Sequence, residues 1–227
     1  MRNVLTGAFL ALASACLAQV SITMEIQTDK KGKHVAKNDV TTTLVSDGRR
    51  GAIVTDMADG TAMSMIVDPG ERHTTTVITD DEGRRSAVRM PSVKVPKGRQ
   101  PDMGFDGDFE ATGETREILG YAAEKYLVTQ YGQASEVWVA DVPGYDPELI
   151  AEGLGHGGGD VRAPDVPGMD NPVALEAHTT SKNGKQVTHM YVRAIAAGED
   201  VDLGMLEVPA GVELQDMTAL LRGLGGR

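Results

Sequence analysis

The chain has one cysteine, Cys16, in 227 residues. A folded domain built from it has no disulfide and no thiol nucleophile, and its stability must come from packing. Aromatic residues are scarce, at 4%. With 11 methionines in the chain, the core is expected to be aliphatic and methionine-filled, because the unbranched thioether fills irregular gaps. No apolar run reaches the roughly 20 residues of a membrane-spanning helix. Basic residues are few, 22 Lys and Arg against 33 Asp and Glu, for a net charge of −11. Nucleic acid and anionic membrane surfaces are therefore poor partners, and the acidity reads as a solubility device.

Motifs that carry chemistry are also lacking. There is no His-Glu-x-x-His, Gly-x-Ser-x-Gly, phosphate-binding loop or paired-cysteine metal motif, so no catalytic residue, resident metal or cofactor is expected. The five histidines, His34, His73, His156, His178 and His189, stand singly in the sequence. The carboxylates Glu114 and Glu117, and the run Asp80-Asp81-Glu82, are neighbours in sequence. They read as solvated strand edges and turns rather than the separated, environmentally distinct pair that acid/base hydrolysis needs.

The N-terminus carries an addressing signal. Arg2 precedes the apolar run Val4 to Leu12, which gives way to Ala13, Ser14 and Ala15, the pattern of a secretory signal peptide over residues 1–18. Two processing routes are open. Small residues before Gln19 suit release of a soluble periplasmic or extracellular chain, whereas Ala13-Ser14-Ala15-Cys16 suits lipidation of Cys16 and anchoring at the outer membrane.

Beyond the leader the chain reads as strand. Turn signals at Lys31-Gly32, Asp47-Gly48, Asp59-Gly60, Pro69-Gly70 and Glu82-Gly83 separate the alternating or β-branched runs Val20 to Thr28, Val40 to Val45, Gly51 to Met57, Ala62 to Val67 and Thr74 to Thr79. Met90 to Phe109, with Pro91, Pro96, Pro101 and Gly104, breaks the pattern, and a loop is expected at 91–108. Strands resume at Phe109 to Ile118, Glu124 to Thr129, Ser135 to Ala140, Pro172 to Thr180 and Gln186 to Ile195. Asn183-Gly184 between the last two predicts a type I′ hairpin turn, whose central residues both need positive φ. Helix is expected in two places only: after Asp146-Pro147, by capping and proline at the first helical position, and over Leu214 to Leu221. The segment 153–171, rich in Gly and Pro, is expected to be a mobile surface loop. Its run Gly153 to Gly159 lacks the strand and helix that give a phosphate cradle its specificity. Residues 19–227 thus form a single, mostly β domain.

Met63 and Met65, with His73 and the pair His189-Met190, could be imagined as a soft-metal site, but the spacing Met63-Met65-Val67 is also what one packed face of a strand requires. The plain reading is preferred, and no metal ligand is assigned.

Thr112 to Tyr126, with its Gly120-Tyr121 turn and Lys125-Tyr126 strand, followed by Glu136-Val137-Trp138-Val139-Ala140 and the closing Leu206-Glu207-Val208-Pro209-Ala210-Gly211-Val212, resembles a pattern of an uncharacterised exported bacterial domain-of-unknown-function family that is similar to the LolA/LolB lipoprotein carriers. The resemblance covers the second half well. It implies a mostly β fold, a single curved antiparallel sheet forming a LolA-like half-open barrel with little helix, and a hollow that holds acyl chains.

A curved sheet that does not close leaves an apolar face to be filled by its own side chains, by a helix or by a guest. By alternation Met63, Met65, Val67, Val77, Val128, Val137 and Met190 are expected to line it. The expectation is a non-enzymatic exported binding protein for a lipid, lipidated protein or other hydrophobic ligand. The alternative is a structural or protein-interaction module of the cell envelope whose interior is already filled. The sequence leaves the oligomeric state open.

Overall fold

The computed structural model describes residues 19–91, 108–130, 133–149 and 166–217. The first half supplies β1 (Val20–Lys30), β2 (Lys33–His34), β3 (Val40–Ser46), β4 (Gly51–Met57), β5 (Ala62–Asp68), β6 (His73–Thr79) and β7 (Arg85–Pro91). The second supplies β8 (Asp108–Ile118), β9 (Tyr121–Gln130), β10 (Gln133–Asp141), β11 (Pro172–Thr180), β12 (Gln186–Ala197) and β13 (Leu214–Asp216). All belong to one open sheet in the order β13-β7-β6-β5-β4-β3-β1-β12-β11-β10-β9-β8, with β2 paired to the end of β1. Two meanders are thus joined along the β1–β12 ladder, which runs from Val20↔Ala197 to Lys30↔Gln186 with one bulge between Thr23 and Met24. Every pairing is antiparallel except β13 with β7, which is parallel. Arg116 on β8 is ion-paired with Glu176 on β11. Side chains stand roughly perpendicular to a sheet, and three strand spacings would be roughly 14 Å in a flat one, so the sheet is strongly curved there.

The turns follow backbone chemistry, with one surprise. Lys31 and Gly32 (φ 53° and 72°) and Leu119 and Gly120 (φ 52° and 83°) have positive φ at both central positions, as a type I′ turn demands. At Asn183-Gly184 only the glycine is left-handed (φ 65°). The hairpin is there, but Gly184 N–H donates to the Ser181 carbonyl at 2.8 Å and Ser181 N–H to that of Gln186 at 2.9 Å, so the loop is wider than the two-residue turn expected.

Two further expectations need correcting. Arg85–Pro91 is a strand although its only buried side chain is Ala87. A strand so exposed has no apolar signature to read. Leu214–Asp216, expected to open a helix, is a short strand against Ala87–Arg89, because the unpaired edge of β7 offers backbone partners. The helical start at Asp146 is present, its carboxylate accepting from Glu148 N–H at 3.0 Å and Leu149 N–H at 3.2 Å. The Pro-rich residues 92–107 and residues 150–165 of the glycine-rich segment lie outside the described residues. Val166, at the end of the latter, is 2% exposed and packs on Tyr126, Val128, Val137 and Val139.

The main core sits where the sheet splits. The β11–β12 ladder stops at Glu176↔Tyr191, beyond which Pro172–Leu175 pairs no longer with β12 while Val192–Ala197 stays with β1. Leu175, Val192, Val20, Ile22, Val173 and Trp138 form one buried cluster at this end. A second cluster lies over Val45, Ala52 and Ile66, which Val201 and Leu206 cover. That cover is clamped: Arg50 reaches Glu207 at 2.9 Å and Asp47 at 3.3 Å, and Asp47 also accepts from Arg49 N–H at 2.9 Å and Arg50 N–H at 2.6 Å. Burial alone would raise the Asp47 carboxyl, but the backbone N–H groups of Arg50 and Arg49 and the Arg50 guanidinium outweigh it and hold it below its usual 3.8.

Two substitutions test these geometries. Leu119 is 48% exposed in a conformation that suits Asn far better than Leu. Leu119→Asn should therefore stabilise the chain by about 0.5–1 kcal/mol in urea unfolding; a loss of stability would contradict the turn assignment. Asp47→Ala should cost about 1–2 kcal/mol at pH 7. A carboxyl whose folded value is depressed contributes stability that is present above its unfolded value and lost as pH falls through the folded one. The gap between wild type and variant in thermal unfolding should accordingly close below about pH 3.8.

Candidate functional site

Directly paired residues of neighbouring strands share a face, so the register shows where each expected lining residue lies. Val128 lies beside Ser135, two positions from Val137, which pairs with Ala177, and Ala177 with Met190. Met190 pairs with Ile26 and Ile26 with Val40. Across β4 the same face carries Ile53, paired with Met65, and Thr55, paired with Met63. Val67, opposite Gly51, belongs to it too. Six of the seven residues therefore share one face across most of the sheet. Val77 does not: it pairs with Ser64, and Met63 and Met65 flank Ser64 on the opposite side.

This shared face changes character along its width. At the β9–β10 end it is filled, with Tyr126, Val128, Val137 and Val139 all 9% exposed or less under Val166 and Met169. Phe109 meets Tyr126 edge-on at 5.8 Å, and the Tyr126 hydroxyl donates to Glu124 at 2.9 Å. Burial first, and then that carboxylate, raises the phenol above its usual range. At the β4–β7 end the face is only partly covered: Val67 and Thr74 are buried, but other side chains stand out. Met57, Ile78 and Met90, all on it by register, are 44%, 50% and 44% exposed. Ile53, Met63, Met65 and Val88 lie on the same side, interspersed with Thr55, Thr74, Thr76, Ser86 and Gln215. Exposed apolar side chains gathered on one face, rather than scattered, mark a binding surface.

The opposite face buries Val45, Ala52, Ile66 and Val77 across β3 to β6, but across β1, β12 and β11 it is polar, and there the structure assembles what the sequence scattered. His178 on β11 and His189 on β12 are paired in register, and their Nδ1 atoms approach to 2.7 Å. His178 Nε2 lies 2.8 Å from Glu176 and His189 Nε2 lies 3.4 Å from Asp29. Asp29 also meets His34 at 3.6 Å, and His34 meets Asp39 at 3.0 Å. At the other end Glu176 pairs with Arg116, whose guanidinium lies 4.0 Å over the Trp138 ring. Nearby, hydrogen bonds from Gln27 and then Arg193 hold the Glu25 carboxyl below its usual value, and Glu136 raises Lys125. His73 sits on this face opposite Asp68, so the register separates both His73 and His189 from Met63, Met65 and Met190. Among the described residues no group of three or more His, Cys, Asp or Glu side chains is arranged to hold a metal ion. Glu114 is a partner of Lys125 at 3.5 Å, and Asp80 of Arg84 at 2.7 Å. The only sequence sign of the histidine row is that His178 and His189 lie symmetrically about the Asn183-Gly184 turn.

The architecture is a single large open, predominantly antiparallel sheet with an apolar face partly bare. The chain belongs to the domain-of-unknown-function family DUF4412, whose model matches residues 21–144. No curated protein matches it in sequence. Among solved structures it is similar to PNGF-II, with 14% identity and a TM-score of 0.44, over 90% of this chain and 32% of that one; it thus spans about a third of the length of that protein. It is also similar to an uncharacterized conserved protein from Thermus thermophilus, with 9% identity and a TM-score of 0.49, over 93% of this chain and 98% of that one. A LolA superfamily protein from Nitrosomonas europaea is similar over 89% of this chain and 97% of its own, with 10% identity and a TM-score of 0.33. Among the described residues no helix is long and apolar enough to cross a membrane.

Proposed function

We propose that the chain is an exported, non-enzymatic binding protein that holds a hydrophobic ligand, such as a lipid or the acyl part of a lipidated protein, along the apolar face of its open half-barrel. The observation that carries this reading is the partly bare end of that face, where Ile78 stands exposed beside Met63, and Met57 and Met90 are exposed on the same side. Burying them under a guest would release roughly 25 cal/mol for each Å² of apolar area removed from water. Methionines suit the task, because their flexible side chains adapt to guests of varied shape. The leader read at residues 1–18 supports placement in the periplasm or outside the cell, with an outer-membrane anchor on Cys16 as the other processing outcome. The intact mass of the mature protein distinguishes the two.

Ile78 and Met90 are half exposed and contribute little to the core, so their replacement by aspartate leaves the fold in place. The double variant Ile78→Asp with Met90→Asp should bind a fluorescent fatty acid at least about tenfold more weakly than wild type, tenfold being 1.4 kcal/mol, with circular dichroism unchanged. Wild-type protein from its own host should also carry lipid into native mass spectrometry. If wild type takes up no fatty acid and travels empty, or the double variant binds equally well, the carrier reading fails and the envelope interaction module with a filled core replaces it.

A further inference from the structure

Every methionine in a described strand stands on the same side of the sheet. Nine methionines lie among the described residues, and six of them are in strands: Met24, Met57, Met63, Met65, Met90 and Met190. Met190 pairs with Ile26, two positions from Met24, and Ile26 with Val40, which pairs with Met57. Thr42, opposite Met24, pairs with Thr55, and Thr55 with Met63. Met90 lies opposite Thr74, whose other partner is Val67, on the side of Met65. All six therefore share the apolar face, and the two that are exposed, Met57 and Met90, stand at its partly bare end.

Leucine or isoleucine would make the same surface as apolar. What methionine adds, besides flexibility, is a sulfur that oxidants attack. We propose that Met57 and Met90 are a modification site through which an oxidant of the peroxide class releases the guest from the apolar face, a regulation that rests on the carrier reading. The sulfur lone pair attacks one oxygen of hydrogen peroxide. The S–O bond forms as the O–O bond breaks, and the departing hydroxide takes up the proton left on the new oxygen and leaves as water. Sulfur loses two electrons and the peroxide gains them. The thioether becomes a polar, chiral sulfoxide whose oxygen accepts hydrogen bonds from water. An acyl chain laid over it strips that oxygen of water and offers no donor in return, which disfavours the bound state.

The placement suits such a switch. Met24, Met63, Met65 and Met190 are less exposed than Met57 and Met90, so access ranks the two rim sulfurs first. On their own face the register puts Met57 beside Val40 and Met90 beside Thr74, both uncharged, so the polarity of this end changes with the sulfurs themselves. A guest on the face covers both sulfurs, and guest and oxidant therefore compete for one surface. The change is also reversible, because sulfoxides are reduced back to thioethers by dedicated reductases.

Treating the purified chain with hydrogen peroxide, removing the excess with catalase and then measuring uptake of a fluorescent fatty acid tests this. Peptide mass spectrometry should find oxygen on Met57 and Met90 before Met24, Met63, Met65 and Met190, and saturating fatty acid should slow the conversion of both. Affinity should fall at least about tenfold, or 1.4 kcal/mol, with circular dichroism unchanged, and return on treatment with methionine sulfoxide reductases for both epimers. The double variant Met57→Leu with Met90→Leu, whatever its own affinity, should show the same affinity before and after peroxide. Another strand methionine converted first, no protection by fatty acid, or equal sensitivity in the variant would overturn the site. Should the variant not fold, the wild-type measurements decide. Absence of uptake before any peroxide sinks the carrier reading and this proposal with it, whereas full affinity with both sulfurs oxidised sinks this proposal alone.

Discussion

The ladder between β1 and β12 is the constraint on which the rest depends. It pairs the first long strand with the last, Val20 with Ala197 and Lys30 with Gln186, and without it the chain would be two separate meanders. Closing a loop of that length carries an entropic cost that grows only logarithmically with length, and the return is a buried seam at its Val20–Ile22 end. The ladder also sets the faces. Because Ile26 stands between Met190 and Val40, Met63 and Met65 fall on the same side as Val128, Val137 and Met190, and Asp29, Glu176, His178 and His189 on the other. A slip of one residue there would exchange the two sides.

The sheet divides its labour along its width as well as between its faces. At the end where β11 and β12 part, Leu175 and Val192 belong to a cluster closed to solvent, and the segment Val201–Leu206 is pinned over Val45 and Ile66 through Arg50 and Glu207. Across β4 to β7 one face is covered far less, and Ile78 and Met90 stand in solvent. A protein whose interior were complete would gain from burying such side chains or replacing them with polar ones. Their grouping on one side is what makes a guest a coherent reading.

Much of this was legible in the residues. The repeated Asp-Gly and Pro-Gly punctuation, the β-branched runs between, and the alternation Met63-Met65-Val67 announce a meander and the facing of its side chains, since a strand's period of two is written into its sequence. Arg85–Pro91 escaped because it buries only Ala87. Leu214–Asp216 escaped because its pairing with β7 is a matter of which edge lies open nearby. Leu119 escaped because no local rule prefers leucine in a left-handed turn. Val77 was misplaced relative to Met63 and Met65 because facing between strands depends on register, and the turn lengths that fix register are not encoded one residue at a time.

By itself the sequence determined that the chain is built of strands and that it has no disulfide, because these follow from composition and local periodicity; the methionine-filled core it led one to expect is instead a core of valine, isoleucine, leucine and alanine with Tyr126 and Trp138, and among the described residues no methionine is fully buried in it. Only the tertiary structure decided that β1 closes on β12, that Met190 joins the face of Met63 while His189 joins that of Asp29, and that two histidines at positions 178 and 189 come within a hydrogen bond of each other. The physical reason is that such neighbours are made by register across strands. Register is settled by the whole sheet burying its apolar side at once, not by any one stretch of chain.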